Sequence, residues 1–423
     1  MYKRAPYVLK VPRKSGSVAL LNVLTGKWLR LVQSEHQAFT QGKPLEPLVE
    51  GEYLVRRSET VEFRAHQQFA SHFLSHERLH LVILPTEECN FRCIYCYERF
   101  EQGKMLPSVR KGVKELVRKR APELKWLAVS WFGGEPLLAM DVIQGLATEF
   151  LNLSTAYGFR VFHHITTNGY GLTPETSAAL FQLGIKHFQV TLDGPEEEHD
   201  RKRPMANGSG SFPKIWENLL ALRATKQDFK VIVRMNLDVE SLLPARRFLK
   251  KLAEHFSGDR RFALHLHPIG RWGGPNDEDI NTIKDTGLLA GLYKEARNLG
   301  LQLALELGPM SHVCYAALPY SFVIRADGRI NKCTVALEEP ANQIGRLLPD
   351  GRMLVNHERL RPWIFNNALN DSVCSKCVLR PACQGASCPW ERIRDGTRPC
   401  PEIKRNLRDY LEILAPAGAV DGR

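Results

Sequence analysis

From residue 80 onward, short apolar runs alternate with stretches of helical periodicity, and this alternation limits the possible folds more than any other feature. The runs are LVILPT (81–86), LAVSWFGG (127–134), VFHHITTNG (161–169), FQVTLDG (188–194), VIVRMNLD (231–238) and FALHLHPIG (262–270). Between them, VRKGVKELVRKR, VIQGLATEFLNL and PARRFLKKLAEHF carry apolar residues at i, i+3 and i+4. Repeated strand–helix units call for parallel strands with crossover helices, so the expected fold is α/β, a barrel or part of one. At the C-terminal ends of the first four runs stand CNFRC, just after the first, and then GGE, TNG and DG. These polar or glycine-rich ends fall on the rim where barrels of this kind assemble active sites.

The first 78 residues read differently. YVLKVP, SVALLNV, KWLRLV and EYLVRRSETVEFRA suggest short β segments, and SEHQAFTQ a brief helix, which together make a small α+β module. Past about residue 309 the periodicity fades and cysteines return at Cys314, Cys333, Cys374, Cys377, Cys383, Cys388 and Cys400. A segment with little periodic core and many cysteines is usually held together by metal. The expected organisation is therefore 1–78, 79–308 and 309–410.

The most apolar windows, HLVILP and WLAVSWF, are too short to span a bilayer, and MYKRAPYVLK has no signal-peptide core. The chain reads as cytoplasmic, where thiols stay reduced, so its ten cysteines point to metal or redox chemistry. A net charge of +12 suits an acidic partner, and it equally suits a solvated surface with scattered basic residues. No long Lys/Arg block stands out, and neither nucleic acid nor membrane is expected as a partner. The opening MYKRAPYVLKVPRK, with five basic residues and no acidic one, fits an acidic peptide.

The loop after the first run, PTEECNFRCIYCYERF, places Cys89, Cys93 and Cys96 within eight residues. Thiolates favour zinc, copper(I) or iron–sulfur clusters. Zinc sites usually use four protein ligands in CxxC pairs, whereas this triplet has no fourth thiolate nearby in sequence. Three cysteines leave one iron of a [4Fe–4S] cluster open. CxxxCxxC with an aromatic residue, Tyr95, before the last cysteine resembles the signature of the radical S-adenosylmethionine (SAM) superfamily. The resemblance implies that the amino and carboxylate groups of SAM occupy the open iron, and that reductive cleavage gives a 5′-deoxyadenosyl radical. It extends to Gly133, Gly134 and Glu135, similar to the GGE motif that binds the methionine amino group. It also implies SAM contacts for Asn168 in TTNG and for Thr191 in TLDG, where many relatives have Ser. HDRKR followed by GSGSF resembles HDxxR…GxGSF and makes Arg203 a partner for the SAM carboxylate. His163 and His164 are adjacent in a strand, so their side chains take opposite faces and read as packed or rim histidines.

The C-terminal pattern, Cys314–x13–Gly328–x4–Cys333, Cys374–x2–Cys377–x5–Cys383–x4–Cys388 and Cys400, resembles the SPASM domain, although CQGASC has one residue more than usual. The fold implied is a partial (β/α)6 TIM-like barrel with an N-terminal α+β module and a SPASM domain. The resemblance implies three [4Fe–4S] clusters: one at Cys89, Cys93 and Cys96, one at Cys374, Cys377, Cys383 and Cys400, and one at Cys314, Cys333 and Cys388 with an open or non-cysteine position. CNFRCIYCYERFEQGKM is most similar to maturases of ranthipeptides and related ribosomal peptides, which form cysteine thioethers. The partners implied are a precursor peptide, with its leader on the N-terminal module, and an external electron donor of flavodoxin or ferredoxin type. The alternatives are a sulfatase maturase, which oxidises Cys or Ser to formylglycine, and a carbon–carbon crosslinking maturase. The extra N-terminal module and the missing cluster ligand count against the first of these. No catalytic base can be singled out among the many carboxylates.

Overall fold

The computed structural model describes residues 1–12, 16–368 and 371–416. They divide into two compact units, Met1–Ser75 with Leu305–Pro319 and the chain from Arg361 onward, and His76–Ala304 with Tyr320–Leu360.

In the first unit β1 (Tyr2–Arg4) precedes a three-stranded antiparallel sheet of β2 (Val8–Pro12), β3 (Val18–Asn22) and β4 (Lys27–Leu31). Helices α1 (Gln33–Gln41) and α2 (Glu46–Glu50) follow, then β5 (Leu54–Arg56), which pairs with β1, and α3 (Val61–Phe73). Val18, Leu20, Leu31, Phe39, Leu48, Tyr53 and Leu54 form the core of this module. Residues 52–65, expected as β, contain only the short β5 before α3 begins. Val61, Ala65, Phe69 and Phe73 recur every four residues and bury one helix face, which overrides the β reading of TVEF.

The second unit holds the strand–helix alternation. β6 (Arg78–Ile83), α4 (Pro107–Arg120), β7 (Trp126–Trp131), α5 (Met140–Tyr157), β8 (Arg160–Thr167), α6 (Pro174–Gln182) and β9 (Ile185–Thr191) lead to α7 (Glu196–Lys202) and α8 (Phe212–Ala224). β10 (Lys230–Leu237), α9 (Leu242–Phe256), β11 (Phe262–Pro268) and α10 (Gly287–Asn298) complete it. β6 to β11 pair in parallel in sequence order, as a partial TIM-like barrel requires. Alternate strand residues such as Leu81, Val129, Val190 and Val233 are buried, as are Val113, Val117, Phe248 and Leu249 of α4 and α9. Each such side chain contributes roughly 1.5–3 kcal/mol.

The sheet does not stop at β6. β12 (Ser321–Ile324) pairs parallel to it, Ser321 with His80 and Ile324 with Ile83. An antiparallel meander of β13 (Arg329–Asn331), β14 (Gln343–Leu347) and β15 (Met353–Val355) extends this edge. The compact units therefore cut the chain differently from three consecutive spans, because Tyr320–Leu360 completes an edge that β6 would otherwise expose. After α11 (His357–Phe365) come the short helices α12 (Ser372–Ser375), α13 (Arg380–Cys383), α14 (Pro389–Asp395) and α15 (Leu407–Leu414); Cys374 and Cys383 lie in α12 and α13, and Cys377, Cys388 and Cys400 in the connections between the helices.

Candidate functional site

The three-cysteine loop leaves the C-terminal end of β6 and is sewn to the loops around it. Ile94 N donates to Lys202 O (2.9 Å), Arg92 N to Pro204 O (2.8 Å) and Ala206 N to Asn90 O (2.8 Å). Glu135 N donates to Glu88 O at 2.9 Å. The glycines of GGE are required by this approach. Gly133 has φ +117°, and a Cβ there would sit 2.2 Å from Thr86 O; a Cβ on Gly134 would sit 2.3 Å from Glu88 O.

Glu135 is buried and accepts from Leu137 N (3.0 Å), Thr167 Oγ1 (2.7 Å) and Asn168 N (2.7 Å). Burial raises its pKa, and these donors oppose the rise. Asn168 Nδ2 donates to Asn90 Oδ1 (2.7 Å), which ties the end of β8 to the cysteine loop.

HDRKR and GSGSF form one assembly. Asp193 N donates to His199 Nδ1 (3.2 Å), His199 Nε2 bonds Ser211 Oγ (3.1 Å), and Asp200 Oδ1 accepts from Ser211 N and Phe212 N at 2.8 and 2.9 Å. This holds Arg203, which is buried rather than paired at the surface. Its Nη1 donates to Tyr95 OH (2.7 Å) and its Nε has no hydrogen-bond partner among the described residues. Burial acts against the Arg203 charge, but Cys93, Tyr95 and Asp193 hold its pKa above the usual range. Tyr95 OH donates in turn to Asp193 Oδ2 and accepts from Asn236 Nδ2 (3.1 Å), while Asn236 N donates to Asp193 Oδ1 (2.7 Å). Thr191 closes β9 beside this network.

Cys89, Cys93 and Cys96 are mutual electrostatic neighbours, and burial pushes Cys89 and Cys96 as free thiols up to about 12. Bound iron reverses that, because a coordinating thiol is deprotonated. Among the described residues no three His, Cys, Asp or Glu side chains converge on a single ion. In an iron–sulfur cube each thiolate binds its own iron. The triplet together with the unpartnered buried Nε of Arg203 fits a cluster with an anionic ligand beside it.

In the first unit, Cys383 has Cys377, Cys374 and Cys400 as electrostatic neighbours. Lys404 Nζ donates to Cys400 Sγ (3.4 Å) and Arg392 Nη2 approaches Cys374 Sγ (3.8 Å), which suits anionic sulfur. Cys314 N donates to Ala386 O (2.9 Å) in the same unit as Cys388. Cys333, expected in the same cluster as these two, lies in the second unit, where it is an electrostatic neighbour of Tyr97.

Several residues of the site were not singled out from the sequence. Asn90 and Asn236 hydrogen-bond to Asn168 and Tyr95, and Glu98, two residues past Cys96, has a buried Oε2 without a hydrogen-bond partner among the described residues. Burial, and then Glu87, push the Glu98 carboxyl up to about 8. The signal for Asn236 was in the sequence: Arg234 and Asn236 put polar side chains on one face of an apolar strand. His163 is buried and stacked on Trp131 (5.9 Å), and His164 takes the opposite, interior face.

Comparison with known proteins finds relatives both in sequence and in fold. The model of the radical SAM superfamily matches residues 83–254. A cysteine-type anaerobic sulfatase-maturating enzyme of Clostridium novyi is 27% identical over 334 residues, covering 72% of this chain and 87% of its own. A serine-type enzyme of Bacteroides thetaiotaomicron is 28% identical over 377 residues, covering 80% and 90%. The structure of anSMEcpe with bound AdoMet and a Kp18Cys peptide superposes with a TM-score of 0.57 at 17% identity, covering 79% and 96%. Streptococcus suis SuiB bound to S-adenosylmethionine superposes at 0.50 with 15% identity, covering 91% and 95%. These structural likenesses concern the fold, whereas the sequence match falls on the strands and loops that carry the site. Residues 83–254 are thus a radical SAM domain, and the chain that carries them is an enzyme.

Proposed function

We propose that this radical SAM enzyme modifies a ribosomally made peptide and joins a cysteine sulfur to a carbon of another residue, with net loss of two hydrogens. The observation that carries this reading is the gathering of Cys374, Cys377, Cys383 and Cys400 within one unit, with Lys404 and Arg392 directed at their sulfurs. An auxiliary cluster there supplies a site for the electron that such a two-electron oxidation releases. Cys89, Cys93 and Cys96 would hold the SAM-binding cluster, whose chemistry is the 5′-deoxyadenosyl radical. Glu135 would accept the SAM ammonium and Arg203 its carboxylate, with Gly133, Gly134, Asn168, Thr191 and Tyr95 shaping the pocket. Cys314, Cys333 and Cys388 would serve a third cluster, and an external flavodoxin- or ferredoxin-type protein would supply electrons.

The sheet β2–β3–β4 ends in two edge strands, and a leader adding to one of them would match the usual strand-addition mode. The basic start of the chain favours an acidic leader. The second reading, formylglycine formation, is supported by the two sulfatase-maturating relatives.

Iron and acid-labile sulfide per chain test the cluster assignment after anaerobic reconstitution. Three cubes require about 12 of each, whereas about four would leave only the SAM cluster. Mass spectrometry of the treated peptide separates the chemistries. A thioether retains sulfur, loses two hydrogens and resists alkylation, whereas formylglycine made from cysteine loses its sulfur and reacts with hydrazides.

A further inference from the structure

The interior face of β10 and β11 carries a basic group that the SAM site does not use. On β10, Val233 and Met235 are buried on the outer face, so Arg234 and Asn236 point into the barrel. On β11, Leu264 and Leu266 are buried outward, which turns His265 and His267 inward. The register sets Arg234 beside Thr191 on one side and His265 on the other, with Asn236 opposite His267. The two histidine rings lie 5.7 Å apart.

Arg234 Nε donates to Asn236 Oδ1 (2.8 Å), and Nη1 and Nη2 bond no described residue. The nearby carboxylate is already engaged, because Asp193 Oδ2 takes Tyr95 OH and Oδ1 takes Asn236 N. His265 and His267 likewise make no hydrogen bond among the described residues. Burial, and then Arg234, push His265 down to about 4 and lower His267 as well, so both rings are neutral and each keeps one N–H to give. Asp193 is an electrostatic neighbour of both Arg203 and Arg234, so one carboxylate faces two guanidinium groups. A buried guanidinium fork compensated only in part is costly, and a planar carboxylate matches it with two parallel hydrogen bonds.

We propose that Arg234, with His265 and His267, forms a carboxylate-binding site inside the barrel, and that its ligand is an acidic side chain of the substrate held beside the SAM pocket. The assignment of the carboxylate to the substrate rests on the peptide-modifying reading, whereas the anion site itself does not. The SAM carboxylate is the other source of the same chemistry, and the experiment separates the two.

The test uses the anaerobically reconstituted full chain loaded with SAM. Calorimetric titration compares N-acetyl-L-aspartate amide with N-acetyl-L-asparagine amide on wild type, Arg234→Gln and Arg234→Lys, with iron content and thermal melting as folding controls. The expected result is at least fivefold tighter binding of the acid by wild type, no preference in Arg234→Gln, and a partial preference in Arg234→Lys. SAM affinity stays within twofold throughout. Equal binding of acid and amide by wild type overturns the site. A tenfold loss of SAM affinity in Arg234→Gln overturns the assignment to substrate, because the anion would then be SAM's own carboxylate. If discrimination holds while no peptide is modified, the peptide reading fails and the anion site stands.

Discussion

Arg325 grips Glu87 with two parallel bonds, Nε to Oε1 at 3.1 Å and Nη2 to Oε2, while Ala326 N donates to the same carboxylate at 3.2 Å. Glu87 lies two residues before Cys89, so this pair fastens the cysteine loop to the hairpin after β12. Arg325 also reaches Glu338 (2.6 Å) and Leu337 O (3.1 Å). Arg325 and Glu87 are both buried, at 2% and 3% exposure, so removing one partner strands the other charge. Arg325→Met should destabilise the protein by about 3–5 kcal/mol. It should also lower the iron retained by the Cys89–Cys93–Cys96 loop. The double variant Glu87→Gln/Arg325→Met should recover part of both losses, and chemical denaturation with iron analysis checks this. Equal destabilisation in the single and double variants would refute the coupling.

Gly134→Ala tests the contact between GGE and the cysteine loop. Its Cβ would lie 2.3 Å from Glu88 O and 2.7 Å from Glu87 O, both backbone atoms, so the loop has to move. Overpacking of this kind costs about 1–3 kcal/mol. SAM affinity should fall at least about tenfold, equivalent to ~1.4 kcal/mol. Binding of SAM to the reconstituted variant gives the answer directly, and unchanged affinity would show that the loop position does not matter.

Much of the barrel was legible because its signal is repetitive and long. Six apolar runs with helical intervals specify parallel strands, and only their edges shift, as where β9 starts at Ile185 rather than Phe188. The N-terminal helix α3 was misread because VEFRA has β-favouring residues, while its register of Val61, Ala65, Phe69 and Phe73 needs a longer window. β12 escaped notice for a different reason. Its four residues, SFVI, acquire strand character by pairing with β6, more than two hundred residues away in sequence, and with the equally short β13. In the site, the cysteines and GGE stand out as short motifs. Arg234, Asn236 and Glu98 do not, since their meaning depends on neighbours from other strands and loops.

His163 gives a stability prediction with the opposite sign. It is buried at 2% exposure and stacked on Trp131 with an interplanar angle of 17°; among the described residues neither its ring nitrogens nor Trp131 Nε1 has a hydrogen-bond partner. Burial pushes its pKa down to about 4. A buried polar group without a partner costs about 1–3 kcal/mol, so His163→Phe should stabilise the protein by roughly 1 kcal/mol. A lowered histidine pKa disfavours the charged form in the folded state. The wild type therefore keeps full stability above the unfolded histidine pKa of about 6.5 and loses some as pH falls toward 4. His163→Phe removes that slope, and its stabilisation should grow between pH 6.5 and 4. Thermal melts at several pH values decide it; a destabilised variant would mean the ring nitrogens have partners in solution.

Asp371 produces acid sensitivity in the turn that carries Cys374. Its Oδ1 accepts from Val373 N (3.0 Å) and Cys374 N (3.1 Å), capping α12, and its Oδ2 accepts from Arg392 Nη1 (3.1 Å) and Arg398 Nε (2.8 Å). Burial alone would raise its pKa, but the N–H of Cys374 and the two guanidinium groups outweigh this and hold the carboxyl well below the usual range. The folded pKa is depressed, so the stabilisation is fully present above the unfolded value of about 4 and is lost as pH falls through the folded one. Asp371→Asn should weaken the protein at neutral pH by about 1–3 kcal/mol, the cost of losing charge-assisted bonds. Its stability should also fall less steeply than that of wild type below pH ~4. Denaturation of the two proteins between pH 7 and 3 distinguishes the outcomes. Parallel curves would mean that Asp371 carries no linked proton, and curves that converge toward low pH would confirm that its charge holds the Cys374 turn.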